Sequence, residues 1–596
     1  MTQEQIIETK TCKACSSVFN ITSKDLEFYD KVSPVFQKRW ELRDENWEKK
    51  DIIDLWDWRF KYLIPTPNLC PECRQQRRLV WRNERNLYKN TCDATWKNII
   101  SCYSPDKPFV IYEPQEWWSD KWDAISYAKD FDFSRSFFEQ FKELILAVPK
   151  LSIVNNIPEN SDYCNQTTWL KNCYLCYNSV FSEDCLYSKW MSKCNNVIDC
   201  LKIYDSSDCY ECIDSHNCFK CTYLRECSNC NDCHHCKDCI WCKNCFWCVG
   251  LRNAEFEIFN EKHSKEEYEK KIISLNSEAN KKILKENFEN LISKIPHKFT
   301  TIINSENCSW DNIHDSANSS FCYDLVGWEN LKYCYDLRAP TKNSMDACII
   351  WNNVENCYET SATWLNASHC LFTDNCWENV SNIYYSQFCI YGSNNCFWCV
   401  GLRWKTYCIL NKEYTQEEYE DLVPKIIEHM KNTKEWWEFF PASVSMFWYN
   451  ETVANEYYPI ERRDAINRVS TDGRAIFNWS DYENPKPDVT KIIPASKLPA
   501  NLSDIPDDII NWAIECEVTN KPFRIIKSEL EFYRKHSLPV PHKHPDERHM
   551  DRMRLRNPRK LNDRSCDKCW ISIKTTYSPD RKEIIYCEEC YNKEVA

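Results

Sequence analysis

Between residues 161 and 251 polarity repeats every three residues. One position in three is small or apolar and never charged, and the two between carry the polar and charged side chains. All 18 cysteines of 164–248 fall on that phase: Cys164, Cys173, Cys176, Cys185, Cys194, Cys200, Cys209, Cys212, Cys218, Cys221, and every third residue from Cys227 to Cys248. Ser, Thr, Leu, Ile, Val and Met fill its other places. A period of 12 is superimposed at Cys173, Cys185, Cys209, Cys221, Cys233 and Cys245, with Val197 in the gap. The preceding residue is Asn or Asp in six of these seven places, Lys220 being the exception. An inward residue at every third position matches neither a helix nor a flat strand. It predicts a narrow solenoid of very short strands and corners, each coil stacked on the next. Asn and Asp suit the corners because they tolerate left-handed backbone.

A second cysteine segment, 304–412, holds 11 Cys from Cys308 to Cys408 but drifts between phases, as the same architecture with insertions would. Both segments end alike, in Asn244-Cys-Phe-Trp-Cys-Val-Gly-Leu-Arg252 and Asn395-Cys-Phe-Trp-Cys-Val-Gly-Leu-Arg403. Each ending leads to a capping box, Ser264-Lys-Glu-Glu267 or Thr415-Gln-Glu-Glu418, and so to an appended helix. Ser136-Phe-Phe-Glu139 opens a further helix with Phe137, Phe138, Phe141, Leu144 and Ile145 on one face. Residues 424–510 are rich in Pro and aromatics and show no chemical constellation.

The two ends of the chain repeat each other. Leu26-Glu27-Phe28-Tyr29, Pro65-Thr66-Pro67, Arg82-Asn83, Cys92 and Tyr103-Ser104-Pro105-Asp106 recur as Leu530-Glu531-Phe532-Tyr533, Pro539-Val540-Pro541, Arg556-Asn557, Cys566 and Tyr577-Ser578-Pro579-Asp580. From Pro65 onward the offset is a constant 474; before it the offset is 504, so the first copy carries a 30-residue insertion.

Cysteine admits three readings inside a narrow coil. It packs as a small, soft hydrophobe. It staples coils as disulfides, since stacked strands lie about 4.8 Å apart, within disulfide reach. Or it gathers metal as thiolate clusters. The Cys-x-x-Cys spacing there is a by-product of the period and carries little redox meaning.

The chain ends offer metal ligands of a different kind. Cys566-x-x-Cys569 and Cys587-x-x-Cys590 supply a tetrahedral sulfur set for structural zinc. Cys12-x-x-Cys15 and Cys70-x-x-Cys73 supply a second set. With four thiolates each, neither leaves a place for catalytic water. The repeat also marks degenerate sets: Cys92 keeps company with Thr95, Glu113 and Glu116, and Cys516 with Thr519, His544 and Glu547. Cys516, His544 and Glu547 retain the chemistry for a weaker site. The repeat reads as an ancestral module of two zinc ribbons, duplicated, each copy keeping a different site.

Charge and composition set the function classes. The net charge is −13, yet residues 74–91 hold six Lys/Arg against one acid and 543–568 hold nine against five. Arg74, Arg77, Arg78, Arg82 and Arg85 (patch 74–89), with Arg548, Arg552, Arg554, Arg556 and Arg559 (patch 548–564), fit phosphate contacts of a nucleic-acid-associated protein. They equally fit ion pairs with the chain's own acids. No run approaches the roughly 20 apolar residues of a membrane span, and no signal peptide is visible, which points to the cytoplasm. Twelve His are scattered, and no Ser/His/Asp or Cys/His arrangement argues for an enzyme.

The run Cys70-Pro-Glu-Cys-Arg-Gln-Gln-Arg-Arg78, Trp117-Trp118-Ser-Asp-Lys-Trp122, both Asn-Cys-Phe-Trp-Cys-Val-Gly-Leu-Arg runs, Phe439-Phe440-Pro441, Tyr449-Asn-Glu-Thr452 and Thr576-Tyr-Ser-Pro-Asp580 resemble a family of uncharacterised zinc-ribbon, Cys-repeat proteins of uncultured bacteria with small genomes. The resemblance spans nearly the whole chain and implies no established activity. Some relatives carry a class III CoA-transferase label, but no nucleotide cradle or acyl-accepting Asp is recognisable here.

The chain is therefore expected to be mixed α+β and multidomain. The expected parts are an N-terminal zinc-ribbon module (1–112), an aromatic helical connector (113–160), a Cys-rich parallel β-solenoid (161–260), a helical insert (261–303), a second solenoid (304–412), a helix and Pro/aromatic connector (413–510) and a C-terminal zinc-ribbon module (511–596). Its expected role is a cytoplasmic, zinc-stabilised scaffold with a protein partner. Nucleic-acid association, thiol redox chemistry, metal storage and enzyme activity are the alternatives. Only 5 Gly stand against 26 Trp. Trp570 and its counterpart Trp96 occupy the knuckle position that favours Gly, and the family-like runs read more naturally with Gly at Trp247, Trp398, Trp437 and Trp448. The resemblance implies a lineage that reads UGA as Gly, so that some Trp are recoded glycines; Trp117, Trp118 and Trp512 read as genuine.

Overall fold

The computed structural model describes residues 4–37, 52–55, 59–275, 280–338, 342–348, 382–436, 439–469, 476–499 and 501–595, and short pieces between 350 and 377. The fold is mixed α+β, with a parallel β-solenoid and two four-cysteine clusters.

In the first solenoid each residue pairs in parallel with the residue 12 positions on, from Asn165↔Tyr177 through Tyr177↔Lys189, Lys189↔Leu201 and Leu201↔Ile213 to Ile240↔Arg252. Each coil is a square of four three-residue sides. Every third residue turns a corner in left-handed backbone, for example Asn172 (φ 51°), Asp184 (φ 54°), Asn196 (φ 52°) and Asp208 (φ 52°). Trp169, Phe181, Tyr187, Lys193, Glu211 and Trp241 adopt it too, but Asn and Asp, which bear that conformation best, hold many of these corners. Their side chains also bond up the stack, Asn160 Nδ2 donating to Asn172 Oδ1 (3.1 Å) and Asn172 Nδ2 to Asp184 Oδ1 (3.0 Å).

Hydrogen bonding explains what stands inside. The corner N–H reaches the coil before (Asn172 N to Glu159 O, 2.8 Å), and the residue after the inward one reaches the coil beyond (Tyr174 N to Cys185 O, 3.0 Å). The inward residue's own N–H points into the core, where an unpaired donor is costly. The side chain stacked one coil earlier accepts it: Ser188 Oγ from Cys200 N (2.9 Å), Ser206 Oγ from Cys218 N (3.0 Å), Cys200 Sγ from Cys212 N (3.2 Å). The same groups donate to the carbonyl two residues back, Ser188 to Leu186 O (2.9 Å) and Cys200 to Ile198 O (3.3 Å). Ser and Cys are small enough for the coil and can both accept and donate.

In the second solenoid the pairing steps are 11 residues (Ile302↔Ile313), 12 (Tyr323↔Tyr335) and 13 (Glu329↔Lys342, Ile383↔Cys396). The drift in phase is thus variation in coil length; Cys357 and Cys370 lie outside the described residues. Both solenoids end on an asparagine that imitates a further coil. Asn260 accepts from Val249 N and donates to Val249 O (2.9 and 2.8 Å), and Asn411 does the same for Val400 (2.8 and 2.9 Å). The appended helices Lys265–Leu275 and Gln416–Asn432 follow. The helix Phe137–Ala147 buries Phe137, Phe141, Leu144 and Ile145 against the second solenoid's last coils, with Phe137 stacked on Trp398.

Candidate metal centres

The two ends contain four hairpin–helix units with the same backbone wiring. In each, a hairpin turn closes through two bonds: Cys12 N to Ser17 O and Ser16 N to Cys12 O; Cys92 N to Lys97 O and Trp96 N to Cys92 O; Cys516 N to Lys521 O and Asn520 N to Cys516 O; Cys566 N to Ile571 O and Trp570 N to Cys566 O, all at 2.8–3.0 Å. The residue after the turn's second ligand position is left-handed in every unit: Ser16 (φ 62°), Trp96 (φ 60°), Asn520 (φ 57°), Trp570 (φ 64°). The N–H after the first cysteine ties the hairpin to the segment before the helix: Lys13 to Asn68 O, Asp93 to Ile111 O, Glu517 to His542 O, Asp567 to Ile585 O. The second ligand pair sits where the helix begins. Cys70 caps Pro71–Leu79, and Cys587 directly precedes Glu588–Val595. A helix start favours negative charge, and hence thiolates.

The first and fourth units keep four sulfurs. Those of Cys12, Cys15, Cys70 and Cys73 all lie within 4.8 Å of one another, as do those of Cys566, Cys569, Cys587 and Cys590, and each set could hold a metal ion. Cys15 and Cys569 are exposed. Burial raises the Cys566 thiol, but the N–H groups of Cys569, Cys587 and Lys568 outweigh it and bring the thiol down to about 6. Cys590 is pushed up to about 12, by burial and then by the neighbouring Cys569 and Cys587. One thiolate is already favoured, and Cys590 resists joining it until a cation neutralises the set. No other three His, Cys, Asp or Glu side chains meet that spacing among the described residues, so three or more solenoid sulfurs do not converge on one point.

The second and third units have replaced the metal chemistry. Thr95 Oγ1 donates to Glu113 Oε1 (2.8 Å), which also pairs with Lys97 (3.2 Å), while Glu116 pairs with Lys121 (2.6 Å). In the third unit His544 Nδ1 accepts from Asp546 N (3.1 Å), capping its own helix. The structure does not gather Cys516, His544 and Glu547 into a cluster.

Nine of the ten arginines are directed inward. Arg74 and Arg78 grip Asp346 at 3.0 and 3.2 Å, all three fully buried. Arg77 pairs with Glu359 (2.8 Å), Arg82 with Glu84, and Arg85 with Glu456 and Asp546 (3.2 Å each). Arg548 pairs with Asp199, Arg552 with Asp199 (3.0 Å) and Glu211 (3.1 Å), Arg556 with Asp214 (2.6 Å) and Asp324 (2.7 Å), and Arg559 with Asp324 (2.6 Å) and Asp336 (2.5 Å). Arg554 alone is largely exposed, paired with Asp551 (2.7 Å). The nucleic-acid reading loses its phosphate contacts, because nine of these charges face the chain's own acids.

The corner acids that receive them, Asp199 and Asp346, were not singled out from sequence. A signal exists: Tyr187, Asp199 and Glu211 stand on one corner column, and Tyr333, Asp346 and Glu359 repeat it in the second solenoid. Comparison with family models, curated proteins and solved structures finds no match for this chain. Among the described residues no helix is long and apolar enough to cross a membrane.

Proposed function

We propose that the chain is a zinc-stabilised cytoplasmic scaffold, presenting its solenoid surfaces to a protein partner. Zinc is favoured over other ions by the all-sulfur, four-ligand sets on turn-and-helix supports. The observation that carries the scaffold reading is that both sets are complete: four cysteine sulfurs each, with no position left for water or substrate. The stacked coils supply the extended surface such proteins use. A metal and thiol count on the native protein tests this. Two zinc ions per chain, with the solenoid thiols free, is the expected result. More than two ions would overturn it in favour of metal storage, and salt-sensitive nucleic-acid binding abolished by changing Arg77 and Arg78 would favour the nucleic-acid reading instead.

Backbone geometry supports the further reading that several Trp are recoded glycines of a bacterial lineage reading UGA as Gly. Trp96 (φ 60°) and Trp570 (φ 64°) are left-handed at the knuckle, where Gly is at ease; Trp247 (φ 57°) and Trp398 (φ 60°) are left-handed as coil corners, a conformation that Tyr187, Lys193 and Trp241 share. Trp448 is not (φ −91°), so its backbone makes no demand for Gly; Trp437 lies outside the described residues. UGA codons at Trp247, Trp398 and Trp570 are expected, and UGG there would overturn the reading.

A further inference from the structure

Hydrogen bonding explains small polar side chains inside the coil, but it does not choose cysteine over serine. Ser188 and Cys200 accept and donate alike. Yet the choice changes along the first solenoid. From 164 to 215 cysteine holds 8 of the 18 inward positions; from 218 to 248 it holds 10 of 11, Leu224 being the exception. The late coils are therefore lined almost entirely by buried sulfur.

These sulfurs stand in columns. Residues 12 apart pair in parallel, Phe219 with Asn231 and Asn231 with Lys243, so inward cysteines 12 apart stack at the strand spacing of about 4.8 Å. Cys209, Cys221, Cys233 and Cys245 form one column, and Cys218, Cys230 and Cys242 another. All seven thiols are oriented alike. Each donates to the carbonyl two residues back at 3.3–3.5 Å and to the carbonyl nine residues on at 3.4–3.9 Å. Sulfur therefore follows sulfur at the coil spacing. Two metal–sulfur bonds in line, each of about 2.3 Å as for zinc, span about 4.6 Å. No three of these sulfurs converge on one point. The columns thus offer two-coordinate sites of pure sulfur, which suit soft, monovalent cuprous ion.

We propose that the sulfur columns of the late coils bind cuprous ion, one ion in line between two stacked sulfurs. This goes beyond the scaffold reading and leaves the two four-cysteine sets to zinc; the columns carry thiols until cuprous ion is supplied. Each ion displaces one thiol proton to solvent. One sulfur becomes a thiolate and its neighbour stays a thiol ligand, so no net charge is buried. The next ion in the column turns that thiol into a bridging thiolate and releases one more proton. The coil can spare these protons. Both carbonyls that Cys230 bonds already accept a backbone N–H, Ser228 O from Trp241 N and Cys239 O from Ser228 N, each at 3.0 Å. The inward N–H groups gain, because an ionised acceptor is the stronger one; Cys239 N already donates to Cys227 Sγ at 3.4 Å.

Titration of the full chain with cuprous ion tests it, without oxygen and against a competing copper chelator. Bound copper, retained zinc and released protons are counted. The expected result is copper in excess of any zinc displaced, one proton released per excess ion, and unchanged amide exchange at Ser228, Ile240 and Trp241. Cys230→Ser with Cys233→Ser keeps both hydrogen-bonding roles but removes the four gaps beside these sulfurs, and should bind four fewer copper ions. Cys194→Ser is the control: its column neighbours are Ser182 and Ser206, so it should bind as much copper as the parent. The comparison of variants reads the columns whether or not the four-cysteine sets hold zinc, so the two readings fail separately. Equal copper in parent and double variant, copper bound only in exchange for zinc, or uptake that speeds exchange in those coils overturns the proposal.

Discussion

Replacing Ser188 tests why cysteine and serine fill the coils. Its side chain is fully buried, accepts from Cys200 N at 2.9 Å and donates to Leu186 O at 2.9 Å. Ser188→Ala removes both bonds and leaves the Cys200 N–H buried with no acceptor, at a cost of about 1–3 kcal/mol. Ser188→Cys keeps an atom that accepts and donates, in a column where Cys176 and Cys200 already stand above and below, and should cost under about 1 kcal/mol. A chain of this size need not unfold in one step, so a single global midpoint is the wrong measure. Exchange at the Cys200 amide is the direct one: a loss of about 2 kcal/mol speeds it roughly thirtyfold. The alanine variant should show that acceleration and the cysteine variant little of it. Alanine within twofold of the unaltered protein, or cysteine the worse of the two, would refute the hydrogen-bonding account and leave size alone as the reason.

Asp199→Ala removes the carboxylate that Arg548 and Arg552 share, leaving them only Glu529 (3.4 Å) and Glu211 (3.1 Å), at a cost of up to about 3–5 kcal/mol for a buried pair broken on one side; limited proteolysis should then cut within 511–595 first, and uniform cleavage along the chain would contradict it. His549 is held down to about 3, by burial and then by the Arg85 guanidinium, while Glu456 pulls the other way. Its folded value lies below its unfolded value near 6.5, so the stability it contributes is present above about 6.5 and lost as pH falls towards 3. Gln75 occupies the equivalent place in the N-terminal copy, and His549→Gln should fold normally at pH 7 and unfold at lower pH than the parent; an unchanged acid midpoint would sink this. Trp570 is 77% exposed and left-handed, a conformation costing about 1–2 kcal/mol in an L-residue. Trp570→Gly should tighten zinc binding up to about tenfold in competition with a chelator, and weaker binding would show that the indole is itself a support.

Sequence legibility followed periodicity. The inward phase, the 12-residue coil and the corner Asn and Asp are visible because a coil imposes the same requirement at every turn. Cys12, Cys15, Cys70 and Cys73 were legible because a tetrahedral ion needs paired cysteines, even across the 30-residue insertion. The arginines were not resolved: a guanidinium facing phosphate and one facing a buried carboxylate look alike in sequence. What decides between them is the corner column Tyr333, Asp346 and Glu359, and its three members are separated by whole coils. Trp448 (φ −91°) marks the same limit, since a family-like run indicates a neighbourhood and not the backbone angle of one residue.

The same arithmetic that relates the repeats also relates their contacts. Adding 474 converts Arg74 and Arg78 into Arg548 and Arg552; subtracting 147 converts Asp346 into Asp199. The grip of Arg74 and Arg78 on Asp346 is thus answered by the grip of Arg548 and Arg552 on Asp199. The strand before each solenoid obeys the rule too: Lys150 N bonds Val110 O (2.7 Å), and His297 N bonds Ile584 O (2.8 Å). The chain order is module, solenoid, solenoid, module, yet each arginine helix docks on the solenoid farther along the chain. Buried ion pairs add little net stability over an apolar contact, but they discriminate among alternatives. A solenoid offers a helix many nearly identical coils, so apolar packing alone would let it slide by one. A slip of one coil would set Arg548 and Arg552 against Tyr187 in one direction or Glu211 in the other. Only on the Asp199 coil do both arginines share one carboxylate beneath Tyr187, whose ring lies 4.5 Å from the Arg548 guanidinium. The corner aspartates thus choose the coil on which each module rests.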